Sequence, residues 1–189
     1  MKKELRREGQ VYFLHNRIGT IEAVKKRLEI LVPGIRVAIA HAKMNENSLI
    51  KIMDDFRDKK YDVLVATTII ENGIDLPNVN TLIVDDAARL GLAQSYQIRG
   101  RIGRSYKEAF AYFLYSAKQL TEKAKLRLDA LKEAEDPGSG YKIALRDLEI
   151  RGAGNILGKE QAGSVNTVGL NLYCQMLSEA VEKMRGNPA

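Results

Sequence analysis

Short apolar runs alternate along this chain with longer segments in which apolar residues return every three or four positions. Runs of the first kind suit strands covered on both faces, and segments of the second kind suit helices with one inward stripe. The alternation therefore predicts an α/β fold, a parallel sheet with flanking crossover helices. VYFL (11–14) reads as the first strand, reached directly from the charged start MKKELRREGQ. Thr20 is the expected N-cap of a helix whose Ile21, Val24, Leu28 and Leu31 share a face, and Pro33-Gly34 ends it. IRVAIA (35–40) is the second strand, and Leu49, Ile52, Met53 and Phe56 form the stripe of the next helix. YDVLVA (61–66), TLIVDDA (81–87) and AFAYFLYS (109–116) supply three more strands, with a short helix over 92–100.

From Thr121 onward the period is helical. Leu126, Leu128 and Leu131 lie on one predicted helix, the break EDPGSG follows, and a second helix carries Ala144, Leu145 and Leu148. The stretch RGAGNILGKEQAGSVNTVG (151–169) holds five glycines without a sustained period, and a final amphipathic helix spans about 170–185. The expected division is a sheet domain over 1–118 and a helical hairpin, glycine-rich loop and closing helix over 119–189. No internal repeat breaks this scheme.

Composition narrows the partners. Thirty Lys and Arg against 24 Asp and Glu give a net charge of +6, which leans toward a polyanion. Cys174 is the single cysteine, so no internal disulfide forms and a reducing, cytoplasmic setting is expected. No run reaches the roughly 18 apolar residues of a membrane span. Both polar ends fit a piece of a longer chain.

In an open parallel sheet, ligands collect beyond the carboxyl ends of the strands. There stand His15, Asn16 and Arg17, then HAKM (41–44), then TTIIENGID (67–75) with Thr67 and Thr68 leading it, then the segment QIRGRIGRS (97–105). His15 and His41 have no cysteine or second histidine at a ligand spacing, so no metal site is expected. Asp85 and Asp86 are adjacent on a predicted strand and would point to opposite faces, which argues against a shared acid/base pair. GAGNILGKE imitates a phosphate-binding loop, but its glycine intervals are wrong and Glu160 stands where a hydroxyl should ligate magnesium. The chain therefore lacks a cradle for a nucleoside triphosphate. The glycine-spaced arginines 101 and 104, with Gln97 one turn earlier, instead suit an arginine finger reaching phosphates that another domain holds. Arg99 reads as surface charge.

These motifs together resemble superfamily 2 helicases and translocases: VYFLHNR is similar to their motif IV, TTIIENGIDLP to motif V and QIRGRIGR to motif VI. The resemblance implies a RecA-like, P-loop NTPase-type domain, the second of two motor domains. DLEIRGAGNILGKEQAGS resembles the translocation motif shared by the RecG and transcription-repair coupling factor families, and the longer match is closest to the latter. What the resemblance implies is ATP with Mg2+ held mainly by a first RecA-like motor domain, faced by Gln97, Arg101 and Arg104, with Gly73 and Asp75 near ribose and phosphates. It implies double-stranded DNA along His15, Asn16, Arg17, Thr67 and Thr68. Arg127, Arg151 and Gln161 match the positions that couple hydrolysis to DNA movement. RNA polymerase and an excision-repair damage sensor would be partners through other parts of a longer protein. Ala42 and Ala88 depart from the family pattern near His41 and Arg89. A RecG-like fork-remodelling helicase and a non-catalytic nucleic-acid-binding module remain the alternatives.

Overall fold

Five of the apolar runs pair as one parallel sheet in the order β2-β3-β1-β4-β5. In chain order the computed structural model has α1 (Lys2–Arg6), β1 (Gln10–Leu14), α2 (Ile18–Leu31), β2 (Val37–Ala40), α3 (Glu46–Arg57), β3 (Val63–Ala66), β4 (Val79–Val84), α4 (Leu92–Arg99), β5 (Phe110–Phe113), α5 (Glu122–Glu133) and α6 (Gly140–Arg151), with short 3-10 turns at Ala87–Arg89 and Ala117–Gln119. The structure describes residues 1–68, 78–103, 108–134 and 139–151. Two compact units are present, Met1–Lys125 and Leu126–Ala189. The predicted glycine-rich loop, apart from Arg151, and the predicted closing helix lie outside the described residues.

β1 sits at the centre because every one of its residues is apolar or satisfied. Val11, Phe13, Val63 and Val65 bury one face of the sheet under Ile21 and Leu28 of α2, together with Ile35 and Val37. Alternation sends Leu14, Leu64 and Leu82 to the other face, where they are also fully buried. Gln10 is the one amide in β1, and its Nε2 donates to the carbonyls of Phe56 (2.6 Å) and Tyr61 (2.7 Å). That pair of bonds fixes the end of α3 against the start of β3. Asn45 caps α3 by accepting from the Ser48 amide at 2.8 Å.

The structure departs from the sequence expectations in four places. MKKELRREGQ contains a helix, α1, instead of running straight into β1. It is held by buried Glu4, whose Oε2 accepts from Arg7 Nη2 and from the Thr81 hydroxyl, both at 2.5 Å. Arg7 in turn donates to the Glu108 carbonyl at 2.6 Å and lies over the Phe110 ring. Thr20 is not an N-cap: α2 begins at Ile18, with Arg17 in the extended cap conformation, and the Thr20 hydroxyl is drawn to His15 instead. Leu31 falls in the last turn of α2 and is 59% exposed. β4 ends at Val84, so Asp85 and Asp86 stand past the strand. In the second unit the inward side chains include Ala130, Leu131, Ala134 and Ile143, whereas Leu126 is exposed. Leu126, Leu128 and Leu131 lie on α5 as expected, and Ala130 and Ala134, four positions apart, are both turned inward.

Arg36 and Asp62 join the entries to β2 and β3, with Arg36 Nη2 2.6 Å from one carboxylate oxygen and the Arg36 backbone amide 2.9 Å from the other. Partial burial pushes the Asp62 carboxyl up, and the hydrogen bonds from Arg36 outweigh it, so the group lies below the ordinary carboxylate range. A depressed folded pKa means stability that is present above the unfolded pKa and lost as pH falls through the folded one. Urea unfolding of Asp62→Asn against the parent chain should therefore show a deficit at neutral pH that shrinks toward about pH 3. An equal deficit at both pH values would remove the ion pair as its source.

Candidate nucleic-acid interface

The residues that leave the carboxyl ends of β1, β3, β4 and β5 gather at one end of the sheet. His15 continues β1 by donating its backbone amide to the Ala66 carbonyl at 2.8 Å, and its ring is buried. Nδ1 lies 2.7 Å from Asp85 Oδ2 and Nε2 lies 2.7 Å from Thr20 Oγ1. An ionised carboxylate only accepts, so Nδ1 carries a proton and donates to Asp85. The Thr20 hydroxyl has one proton to share between Nε2 and the Arg17 carbonyl 3.3 Å away. His15 thus pins the first turn of α2 to the end of β4.

The next two residues point outward. Asn16 is exposed, and its Oδ1 accepts from the Thr68 amide at 3.1 Å, which ties the exit of β1 to the exit of β3. Thr67 is buried; its amide donates to the Ala40 carbonyl at 3.2 Å and its carbonyl accepts from the Tyr12 hydroxyl at 3.2 Å. Arg17 is half exposed, with Nη2 2.7 Å from Asp86 Oδ2. Arg89 Nε reaches the same oxygen at 2.8 Å. Asp86 has φ 58° and ψ 46°, a left-handed conformation that aspartate tolerates better than most residues. Because Asp86 turns this way just past β4, both it and Asp85 line one cleft and do not face opposite sides of a strand. The cleft is open, about 680 Å3, and is also lined by Arg27, Arg89 and Tyr115. The two carboxylates engage different partners, Asp85 the His15 ring and Asp86 two guanidiniums, so they still form no acid/base pair.

The remaining candidates sit elsewhere. α4 buries Leu92, Ser95 and Ile98 and leaves Gln97 exposed. Arg99 stacks its guanidinium on Tyr96, 5.0 Å from the ring centroid. Arg101 follows in the turn closed by its amide donating to the Ile98 carbonyl at 3.1 Å. Gly103 then adopts φ +73° and donates to the Val79 carbonyl at 3.3 Å, which ties the end of this turn to the start of β4. Arg127 lies on α5 and Arg151 closes α6. Gly73, Asp75, Arg104 and Gln161 lie outside the described residues. Sequence reasoning missed Arg27, Asp85, Asp86 and Arg89 as members of the cleft. The signal was available: VDDAAR directly follows the fourth strand, at the sheet end where ligands collect.

The family model described as helicase conserved C-terminal domain matches residues 1–106. The chain belongs to this family. As a superfamily 2 type helicase C-terminal domain, it is 55% identical over its whole length to the transcription-repair-coupling factor of Bacillus subtilis (strain 168) and 53% identical over 98% of its length to that of Staphylococcus aureus (strain USA300). It spans 16% of the length of each. Among solved structures, RecG bound to a three-way DNA junction is 32% identical with a TM-score of 0.69, covering 86% of this chain and 21% of that one. The C-terminal domain of the DEAD-box protein Dbp5 shares the fold, with a TM-score of 0.54 at 19% identity over 76% of this chain and 82% of that one. The parallel sheet of this helicase C-terminal domain is thus RecA-like.

Proposed function

We propose that the chain is the second motor domain and translocation element of an ATP-dependent double-stranded DNA translocase that displaces stalled RNA polymerase and so couples transcription to excision repair. The observation that carries the proposal is the rim at the carboxyl end of the sheet, where exposed Asn16 and Arg17, with Thr68 tied to Asn16, line one edge with a side-chain amide, a hydroxyl and a guanidinium, and buried Thr67 holds the exit of β3 beneath them. Such groups suit the phosphodiester backbone, which fixes register without reading sequence. His15 serves this track by orienting the loop between β1 and α2, since both of its ring nitrogens are engaged. Relatives 55% and 53% identical to the chain carry the coupling-factor name, which supports the finer reading.

Gln97, Arg101 and Arg104, with Gly73 and Asp75, would face ATP held by a first motor domain. The magnesium that accompanies ATP would be held mainly by that other domain. The chemistry ATP supplies is phosphoryl transfer to water. The arginines would stabilise charge on the transferring phosphoryl group, and Arg127, Arg151 and Gln161 would link that event to DNA movement. An excision-repair damage sensor would bind elsewhere on a longer protein. No helix among the described residues is long and apolar enough to cross a membrane.

The 189-residue chain alone should turn over no ATP, with or without duplex DNA. A longer protein carrying it should hydrolyse ATP and displace a third strand from a triplex, and Arg151→Ala there should keep hydrolysis and lose displacement. Turnover by the isolated chain, or normal displacement by the variant, would overturn the assignment. The likeness to a junction-bound RecG favours one second reading, a fork-remodelling helicase. That reading requires branched DNA to be unwound and stalled polymerase to be left in place.

A further inference from the structure

Two guanidiniums share one oxygen of Asp86, and the two pairs differ in kind. Asp86 and Arg89 belong to the same short turn, three residues apart, so their pairing is local. Asp86 and Arg17 are joined across the ends of β4 and β1, and Arg17 stands on the exposed loop beside Asn16. Removing Arg17 from the carboxylate leaves Arg89 in place, so no charge is stranded. Removing Arg89 leaves the carboxylate dependent on Arg17 alone. The carboxylate is only about one-quarter exposed, whereas Arg17 is about half and Arg89 about two-thirds exposed, so the arginines are the members free to swing outward, and Arg17 is the one that stands beside Asn16 without a local tie to Asp86.

We propose that Asp86 is an internal stand-in for a DNA phosphate: it holds Arg17 in the cleft when no DNA is bound and yields it to a phosphodiester oxygen, while Arg89 keeps the carboxylate paired. The proposal rests on the DNA reading of Arg17 given above. It adds a grip that is deliberately weakened. Every phosphate that engages Arg17 competes with a carboxylate already in place, so each contact is easily surrendered, as a protein that steps along DNA requires. The left-handed backbone at Asp86 aims the carboxylate at both arginines, and asparagine tolerates the same conformation. Asp86→Asn therefore removes the charge and keeps the turn.

The test is binding of the 189-residue chain to a fluorescein-labelled duplex of about 20 base pairs, followed by anisotropy from about 50 to 200 mM salt. Arg17→Ala should weaken binding and lower the salt slope by about 1. Asp86→Asn should tighten binding about 3- to 10-fold at low salt, with the gain shrinking as salt rises. Arg89→Ala should weaken binding about 2- to 3-fold in the parent chain and have no effect in the Asp86→Asn background, because coupled residues fail to add. Asp86→Asn binding like the parent, while Arg17→Ala binds less, would overturn the exchange and leave the DNA reading standing. Equal losses from Arg89→Ala in both backgrounds would make Arg89 a direct DNA contact and also overturn it. No binding by the parent chain, or no effect of Arg17→Ala, would instead sink the DNA reading itself.

Discussion

Arg104→Ala in a longer protein carrying this chain should lower kcat for ATP hydrolysis by about 10³-fold or more, while duplex affinity measured without nucleotide stays within about twofold. The magnitude is that of an arginine finger, a guanidinium that binds the transferring phosphoryl group more tightly in the transition state than in the ground state. Three features motivate it. The chain has a helix followed by glycine-spaced arginines, the glycine spacing of GAGNILGKE does not suit a phosphate-binding loop, and the chain belongs to the helicase conserved C-terminal domain family. Single-turnover hydrolysis decides the matter. A variant that kept kcat and raised only KM would make Arg104 a ground-state binding residue. Arg104→Lys should recover little, because an ammonium cannot form the two parallel bonds of the fork.

Gly103→Ala should be nearly as damaging by a different route. Gly103 has φ +73°, where an L-residue pays roughly 1–2 kcal/mol. In addition, a Cβ at that position would stand 2.6 Å from the Ala109 Cβ at the entrance to β5. Strain and overlap together should cost about 2–4 kcal/mol of stability, read as a lower urea midpoint for the chain. Because Gly103 immediately precedes Arg104, the same change should depress ATP turnover beyond what stability explains. The double variant Gly103→Ala, Ala109→Gly separates the two terms: it relieves the overlap and leaves the backbone cost, so roughly half of the stability loss should return. Full recovery would show that φ at Gly103 is not constrained, and no recovery would show that the contact with Ala109 is immaterial.

The two largest effects concern residues whose roles were visible to different degrees in the sequence. The arginine spacing was legible because a finger needs only residue types and an interval. The requirement for glycine at 103 and not at 100 was not, since both glycines separate arginines in the same way. Only the fold distinguishes them: a Cβ at Gly100 meets nothing closer than 3.5 Å, and Gly100 lies in the right-handed region. The cleft repeats the lesson. His15, Asn16 and Arg17 stood out as residues beyond a strand end, but their partners Asp85 and Asp86 were placed on a strand and set aside. One left-handed residue ended the strand early and turned both carboxylates toward the cleft.

Local pattern alone determined that the chain alternates strands and helices and that the strands run parallel. Those conclusions rest on periodicity, which is a property of neighbouring residues along the chain. Tertiary structure alone decided that Thr20 serves His15 and not a helix end, that Glu4 anchors an N-terminal helix to β4 through Thr81, and that Arg17 and Arg89 meet on one oxygen of Asp86. Glu4 and Thr81 stand 77 positions apart in sequence and Arg17 and Asp86 stand 69 apart, while Thr20 and Arg89, close in sequence to their partners, meet them only because the strand ends place those partners there. Their pairing depends on strand order and on where each strand ends, because a hydrogen bond or ion pair forms only when the fold brings donor and acceptor within about 3 Å.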